Sequence, residues 1–175
     1  MKPKTLSMPT IAIGLLLAVA LVLPSQANAQ RFKPGDRTIA EIAITNGNFN
    51  TLVTALSCTG LVGAVADEDA TLTVFAPTDD AFAAAGLTPA NVCTVFDTET
   101  LTTILLYHVV GERRPSPSVI NGKNKEIVML AGGSIFPDGK GSLTIQANSS
   151  TVNIVLPDVL ASNGIIHAVD FVLLP

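Results

Sequence analysis

Apolar and polar positions change period partway along the chain. Up to about residue 110 the apolar residues recur at helical spacing. "TIAE" (38–41) reads as a capping box, with Thr38 as the cap and Glu41 three residues on. In "NFNTLVTALSCTG" (48–60), Phe49, Leu52, Val53 and Leu56 make one stripe at i, i+3, i+4 and i+7. Asn48 is the expected cap and Gly60 the stop. "LTVF" (72–75) is a short strand, and "LTPANV" (87–92) carries a Thr-Pro helix start. "DTETLTTILLYHVV" (97–110) predicts a helix with Leu101, Ile104, Leu105, His108 and Val109 on its apolar face.

After Gly111 the texture shifts. "RRPSPS" is a loop, and then come short runs bounded by turn residues: "EIVML", "SIF", "LTIQ", "TVNIVL" and "IIHAVDFVLL". These read as strands, with "AGG", "PDGKG", "NSS" and "NG" as turns. Helices followed by strands predict an α+β domain, without an internal repeat or a second domain.

"TVFAPTDDAF" (73–82) raises the first question of chemistry, because Asp79 and Asp80 are adjacent acids. A strand runs into Pro77, Thr78 caps a helix, and both acids occupy the first turn, where carboxylates favour the positive end of the dipole. Pro77 and Phe82 stand at hydrophobic-staple spacing. Neighbouring acids on a helix also point in different directions, so the stretch reads as a helix start rather than a catalytic or metal pair.

Both histidines, His108 and His167, read as buried. His108 shares the face of Leu101, Ile104 and Leu105, where its ring N–H needs a partner. Tyr107 lies at the margin of that face, with its hydroxyl expected in water. In the closing run, Ile165, His167, Val169, Phe171 and Leu173 take one side of a strand. Ile166, Ala168, Val172 and Leu174 take the other, and Asp170 on that side must find donors. Such a strand is central and covered on both faces.

The N-terminus sets the compartment. Lys2 and Lys4 precede the apolar "IAIGLLLAVALVLP" (11–24), and "ANAQ" follows with Ala27 and Ala29 at signal-peptidase spacing. Residues 1–29 read as a cleaved secretory signal of bacterial type, with Gln30 as the mature start, and residues 30–37 as a loose leader. Export makes a disulfide between Cys58 and Cys93 the natural reading. A zinc site would need further ligands at close spacing. Asn148 in "NSS" is a glycosylation acceptor only if a eukaryote makes the protein. Without residues 1–29, eight Lys and Arg stand against fourteen Asp and Glu, a net charge of −6. Only Arg113 and Arg114 are adjacent, so nucleic acid has no electrostatic footprint.

Three stretches together carry a resemblance. "TVFAPTDDAF", the Tyr107-His108 pair and "NGIIHAVDFVLL" (163–174) resemble the motifs of the fasciclin domain family in order and spacing. "TIAEIA" and "FNTLVTAL" resemble its opening helices, so the likeness covers 38–175. The sequence departs from the family at "LPDVLASNG", with Pro157, and in its cysteine pair. The resemblance implies a seven-stranded β-wedge of two sheets packed against several helices. It also implies a secreted, non-enzymatic module of adhesion, matrix or biofilm settings, with cell-surface or matrix proteins or polysaccharides as partners. In animal members the Tyr-His region has been linked to integrin binding, which makes Tyr107 and His108 candidate contacts. The alternative is a carrier of a small apolar, carotenoid-like ligand. No cofactor is expected, and no Gly-x-Ser-x-Gly elbow marks a hydrolase.

Overall fold

In the computed structural model, which describes residues 35–121, 125–140, 142–145 and 150–175, Thr38 opens the first helix. Its hydroxyl accepts from the Glu41 N–H at 3.3 Å, and Glu41 Oε2 accepts from the Thr38 N–H at 2.8 Å. The expected signal, the leader up to residue 34 and Asn148 lie outside the described residues. The elements run α1 (Ile39–Asn46), α2 (Asn50–Cys58), α3 (Val62–Ala66), β1 (Leu72–Pro77), α4 (Asp79–Ala84), α5 (Val92–Val95) and α6 (Thr98–Leu106). Then follow β2 (Val109–Val110), α7 (Ser116–Ile120), β3 (Ile127–Val128), β4 (Ser134–Pro137), β5 (Ser142–Ile145), β6 (Thr151–Ala161) and β7 (Gly164–Val169). The domain is α+β.

The seven strands lie in the order β2-β1-β7-β6-β5-β4-β3. β6 belongs to both halves of the wedge: its first residues pair with β5 and the remainder with β7. The partner changes between Asn153 and Ile154, and two register shifts, between Ile154 and Leu156 and between Leu156 and Val159, follow within the pairing with β7. β1 and β7 run parallel, with Val74 opposite Ile166 and Phe75 opposite His167. The ends of the order meet, since the Leu130 N–H in the β3–β4 turn donates to the Val109 carbonyl of β2 at 2.8 Å.

Alternation along β1 and β7 serves two cores. Val74, Ala76, Ile166 and Ala168 face the helices, against Phe49, Leu52, Phe82 and Leu101. Phe75 and Val169 face the other half of the sheet, against Ile127, Ile135, Leu143 and Val152. Fully burying an aliphatic or aromatic side chain contributes about 1.5–3 kcal/mol, so these two clusters supply the main driving force.

Several boundaries depart from the sequence reading. α6 stops at Leu106 rather than running to 110, because Val109 and Val110 are β-branched and pair with Thr73 and Val74. The "LTPANV" start is a turn that delays α5 to Val92. "RRPSPS" contains the start of α7, where Pro117 takes an early position that needs no N–H. β7 ends at Val169 rather than at Leu174, which leaves Phe171 and Leu174 exposed while Val172 and Leu173 stay buried.

Cys58 of α2 and Cys93 of α5 form a disulfide with their Cα atoms 6.1 Å apart. Closing a loop of this length contributes about 4 kcal/mol in the chain-entropy model. Gly164, opposite Leu72, has no room for a side chain. A Cβ there would collide with the Leu72 carbonyl and come within 2.8 Å of Ile39 Cδ1. Gly164→Ala is therefore expected to cost at least about 2 kcal/mol in urea unfolding. Gly63→Ala, in α3 with nothing within 4 Å, should be neutral or stabilising by up to about 1 kcal/mol.

Candidate functional site

Thr78 caps α4, its hydroxyl accepting from the Ala81 N–H at 3.2 Å. Asp79 does more than begin that helix. Its Oδ1 accepts from the Thr51 N–H at 2.8 Å, and its Oδ2 accepts from the Asn50 N–H and Asn50 Nδ2 at 3.2 and 2.9 Å. It thus caps α2 from 28 residues away, in the place expected of Asn48. The Asn48 carbonyl instead accepts from the Asp79 N–H at 2.8 Å, so the two chain segments hold each other. Partial burial pushes the Asp79 pKa up, but the bonds from Thr51 and Asn50 outweigh it and the net shift is downward. The Thr51 hydroxyl is buried beside this carboxylate. Asp80 is exposed, and Phe82 is buried in the helical core.

Tyr107 and His108 sit at the turn between α6 and β2, where they point into different cores. The Tyr107 hydroxyl is not in water: the residue is 1% exposed and donates to the Ser134 carbonyl at 3.3 Å. The early end of α6 is the cause, since it swings the ring off the helix margin and into the cluster with Phe75 and Val110. Burial raises the phenol pKa. His108 is 2% exposed. Its Nδ1 donates to the Ile104 carbonyl at 2.7 Å, and its Nε2 accepts from the Leu173 N–H at 2.9 Å. Those partners require the neutral ring with the proton on Nδ1. Burial lowers its pKa to about 4, with the bond to Ile104 opposing. Neither residue of the pair presents a surface to a partner.

His167 is placed in the same way on the other side of β7. Its Nε2 donates to the Arg114 carbonyl at 2.9 Å, and its Nδ1 accepts from the Asp158 N–H at 3.2 Å. Asp158 has φ 55° at the second shift of β6, a conformation that Asp tolerates. From there its carboxylate accepts from the Ser116 N–H at 2.8 Å and from the Ser116 hydroxyl, capping α7. Serine, aspartate and histidine are therefore neighbours here, but the histidine meets the aspartate's main chain and not the serine. The hydroxyl's partner is the Asp158 carboxylate, and the imidazole lies on the far side of the Asp158 main chain. Burial pushes the His167 pKa down against the opposing effects of the Arg114 bond and the Asp158 charge.

Asp170 finds its donors in Asn153: Oδ1 accepts from the N–H and Oδ2 from Nδ2, both at 2.8 Å. The sequence reading passed over Asn163, which it took only as a turn residue. Its Oδ1 accepts from the Ile39 N–H at 2.9 Å, and its Nδ2 donates to the Val65 and Asp67 carbonyls at 3.0 and 2.8 Å. One buried amide thus ties the start of α1, the end of α3 and the β6–β7 turn. Among the described residues no group of three or more His, Cys, Asp or Glu side chains could hold a metal ion.

Two expectations follow for stability. Asp79→Ala should cost about 1–3 kcal/mol and Asp80→Ala less than about 0.5 kcal/mol, read by urea unfolding at pH 7. Because the folded pKa of Asp79 is depressed, its contribution is present above the ordinary 3.8 and is lost as pH falls through the folded value. The gap between the two variants should therefore close in strong acid. His108→Ala should cost about 2–4 kcal/mol, through a cavity and an unpaired Leu173 N–H. Tyr107→Phe should cost about 1 kcal/mol, since it strands the buried Ser134 carbonyl.

Comparison with known proteins agrees with this architecture. The fasciclin domain pattern matches residues 47–175. Protein sll1483 of Synechocystis sp. is 38% identical over 97% of this chain and 89% of its own length. The transforming growth factor-beta-induced protein ig-h3 of Sus scrofa is 30% identical over 79% of the chain, which spans 19% of that protein. Among solved structures, a FAS1 domain pair from the insect cell adhesion molecule fasciclin I superposes with a TM-score of 0.66 at 18% identity, covering 81% of this chain and 52% of that one. With its motifs, its strand order and these matches in agreement, the chain belongs to the fasciclin domain family.

Proposed function

We propose that this protein is an exported, non-enzymatic interaction domain that binds cell-surface or matrix proteins or polysaccharides. One observation carries the reading. The polar atoms of four motif residues are committed to partners inside the fold: Asp79 to α2, His108 to Ile104 and Leu173, His167 to Arg114 and Asp158, and Asp170 to Asn153. The motifs build the scaffold, and function falls to the surface around it. Family membership supports the adhesion setting. Export rests on the N-terminal pattern of Lys2, Lys4, the apolar run and Ala27-x-Ala29. No helix among the described residues is long and apolar enough to cross a membrane.

An apolar groove gives the carrier reading its one foothold. Leu56, Leu61, Ala64, Leu72, Leu106 and Leu130 line a space of about 80 Å³. Ligand pockets run to roughly 300–1,000 Å³, so a long polyene would need the groove to open several-fold. The adhesion reading therefore stands first.

Wells coated with the protein isolated from its producing cells should retain those cells saturably, and soluble protein should compete. Its intact mass should correspond to a chain beginning at Gln30. Retention no better than on albumin-coated wells, together with visible absorption by the purified protein, would reverse the order of the two readings.

A further inference from the structure

The segment after β7 is held in an unusual way. Val172 and Leu173 are buried, one in each core, while Phe171 and Leu174 are exposed. Asp170 anchors its start through Asn153. Among the described residues, the Leu173 N–H donating to His108 Nε2 is the one hydrogen bond that 171–175 makes. That bond needs a lone pair on Nε2. A protonated ring carries N–H groups at both nitrogens and would set one donor against another.

We propose that His108 is an acid-sensitive latch: neutral, it holds residues 171–175 across the seam between the two cores, and protonation releases them. The surroundings of the ring make protonation and release one event. Ile39 of α1, Phe49 and Leu56 of α2, Val65 of α3, Val74 of β1 and Ile166 of β7 line the space around it. No titratable or charged side chain is among the residues lining that space, so no counter-charge can hold an imidazolium in place. The Asp170 carboxylate is bonded to Asn153. The other buried histidine, His167, faces Asp158 and the Arg114 carbonyl and does not bond the segment.

The direction and size follow from linkage. The ring has its ordinary pKa of 6.5 once the segment has left and water reaches it, against about 4 in the closed state. The closed state is therefore at full strength above 6.5 and weakens as pH falls from there toward 4. The open population rises roughly 80-fold between pH 6.5 and pH 4, toward a limit of roughly 300-fold in stronger acid. Opening vacates the seats of Val172 and Leu173 and uncovers apolar surface in both cores.

Amide hydrogen exchange followed by NMR on the protein as its cells produce it tests this. After correction for intrinsic rates, protection of the Leu173 amide should fall roughly 20-fold between pH 6 and pH 4.5. It should also stay below the protection of the Val74 and Phe75 amides at both pH values. His108→Gln keeps one donor and one acceptor without a titration in this range and should abolish the fall, whereas His167→Gln should preserve it. An unchanged Leu173 protection would overturn the latch. Exchange of Leu173 in step with the β1 amides would do the same, because only global unfolding would then be at work. So would a full fall in His108→Gln, or its loss in His167→Gln. Should His108→Gln fail to fold, the comparison of Leu173 with β1 in the unsubstituted protein still decides the matter.

Discussion

Helix ends that lie against a sheet cannot leave their main-chain groups unpaired, and this constraint organises the domain. The first N–H groups of a helix and its last carbonyls have no partner within it. In water they would be solvated; at the edge of a core they need a side chain. Here that side chain often comes from far along the sequence. Asn163 serves α1, Asp79 serves α2 and Asp158 serves α7, while His108 takes a carbonyl near the end of α6. The bonds of Asn163, Asp79 and Asp158 each close a long loop as well as a helix end, and His108 closes one through its other nitrogen, to Leu173. Local helix formation and global topology therefore stabilise each other, as expected of a sequence whose levels agree.

The paired histidines extend this logic to the seam between the cores. Each ring spans from one main-chain carbonyl to one main-chain N–H, a task that suits a neutral imidazole and no charged side chain. His108 joins the end of α6 to the segment after β7, and His167 joins the shift in β6 to the approach to α7. The His167 ring projects from β7 beside Phe75 of β1, their ring centroids 5.6 Å apart. The polar bonds contribute less energy than the apolar clusters, about 1 kcal/mol each against the tens that burial supplies. Their contribution is register: leaving any one unmade would strand a buried donor or acceptor, and that penalty penalises alternative packings.

A scaffold built this way leaves its family motifs with little to offer a partner. The Tyr107-His108 pair is sealed, and its influence on any binding surface must pass through the position of α6 and of the segment after β7. The side chains of Val155, Leu156 and Leu160 on β6, and of Leu130 in the β3–β4 turn, are exposed and apolar.

Much of this was legible in the chain itself. The capping box at Thr38 and Glu41, the stripe of Phe49 to Leu56, the Thr78 helix start and the burial of His108 and His167 follow from spacing and local chemistry, and neighbours within a few residues decide them. The α+β class and the seven strands follow from the change of period after Gly111 and from the fasciclin motifs. Tertiary structure decided the rest. Asn48 looked like the cap of α2, yet Asp79 takes that role because the fold brings a stronger, charged acceptor to the same N–H groups. Tyr107 looked half-wet, yet it is buried because pairing with β1 ends α6 early and turns the ring inward. Asn163 read as a turn residue, and nothing near it in sequence announces the ends of α1 and α3 that it joins. Local pattern determines which groups will need partners. Which partner arrives depends on contacts between residues 27 to 124 positions apart, and only the folded chain brings those together.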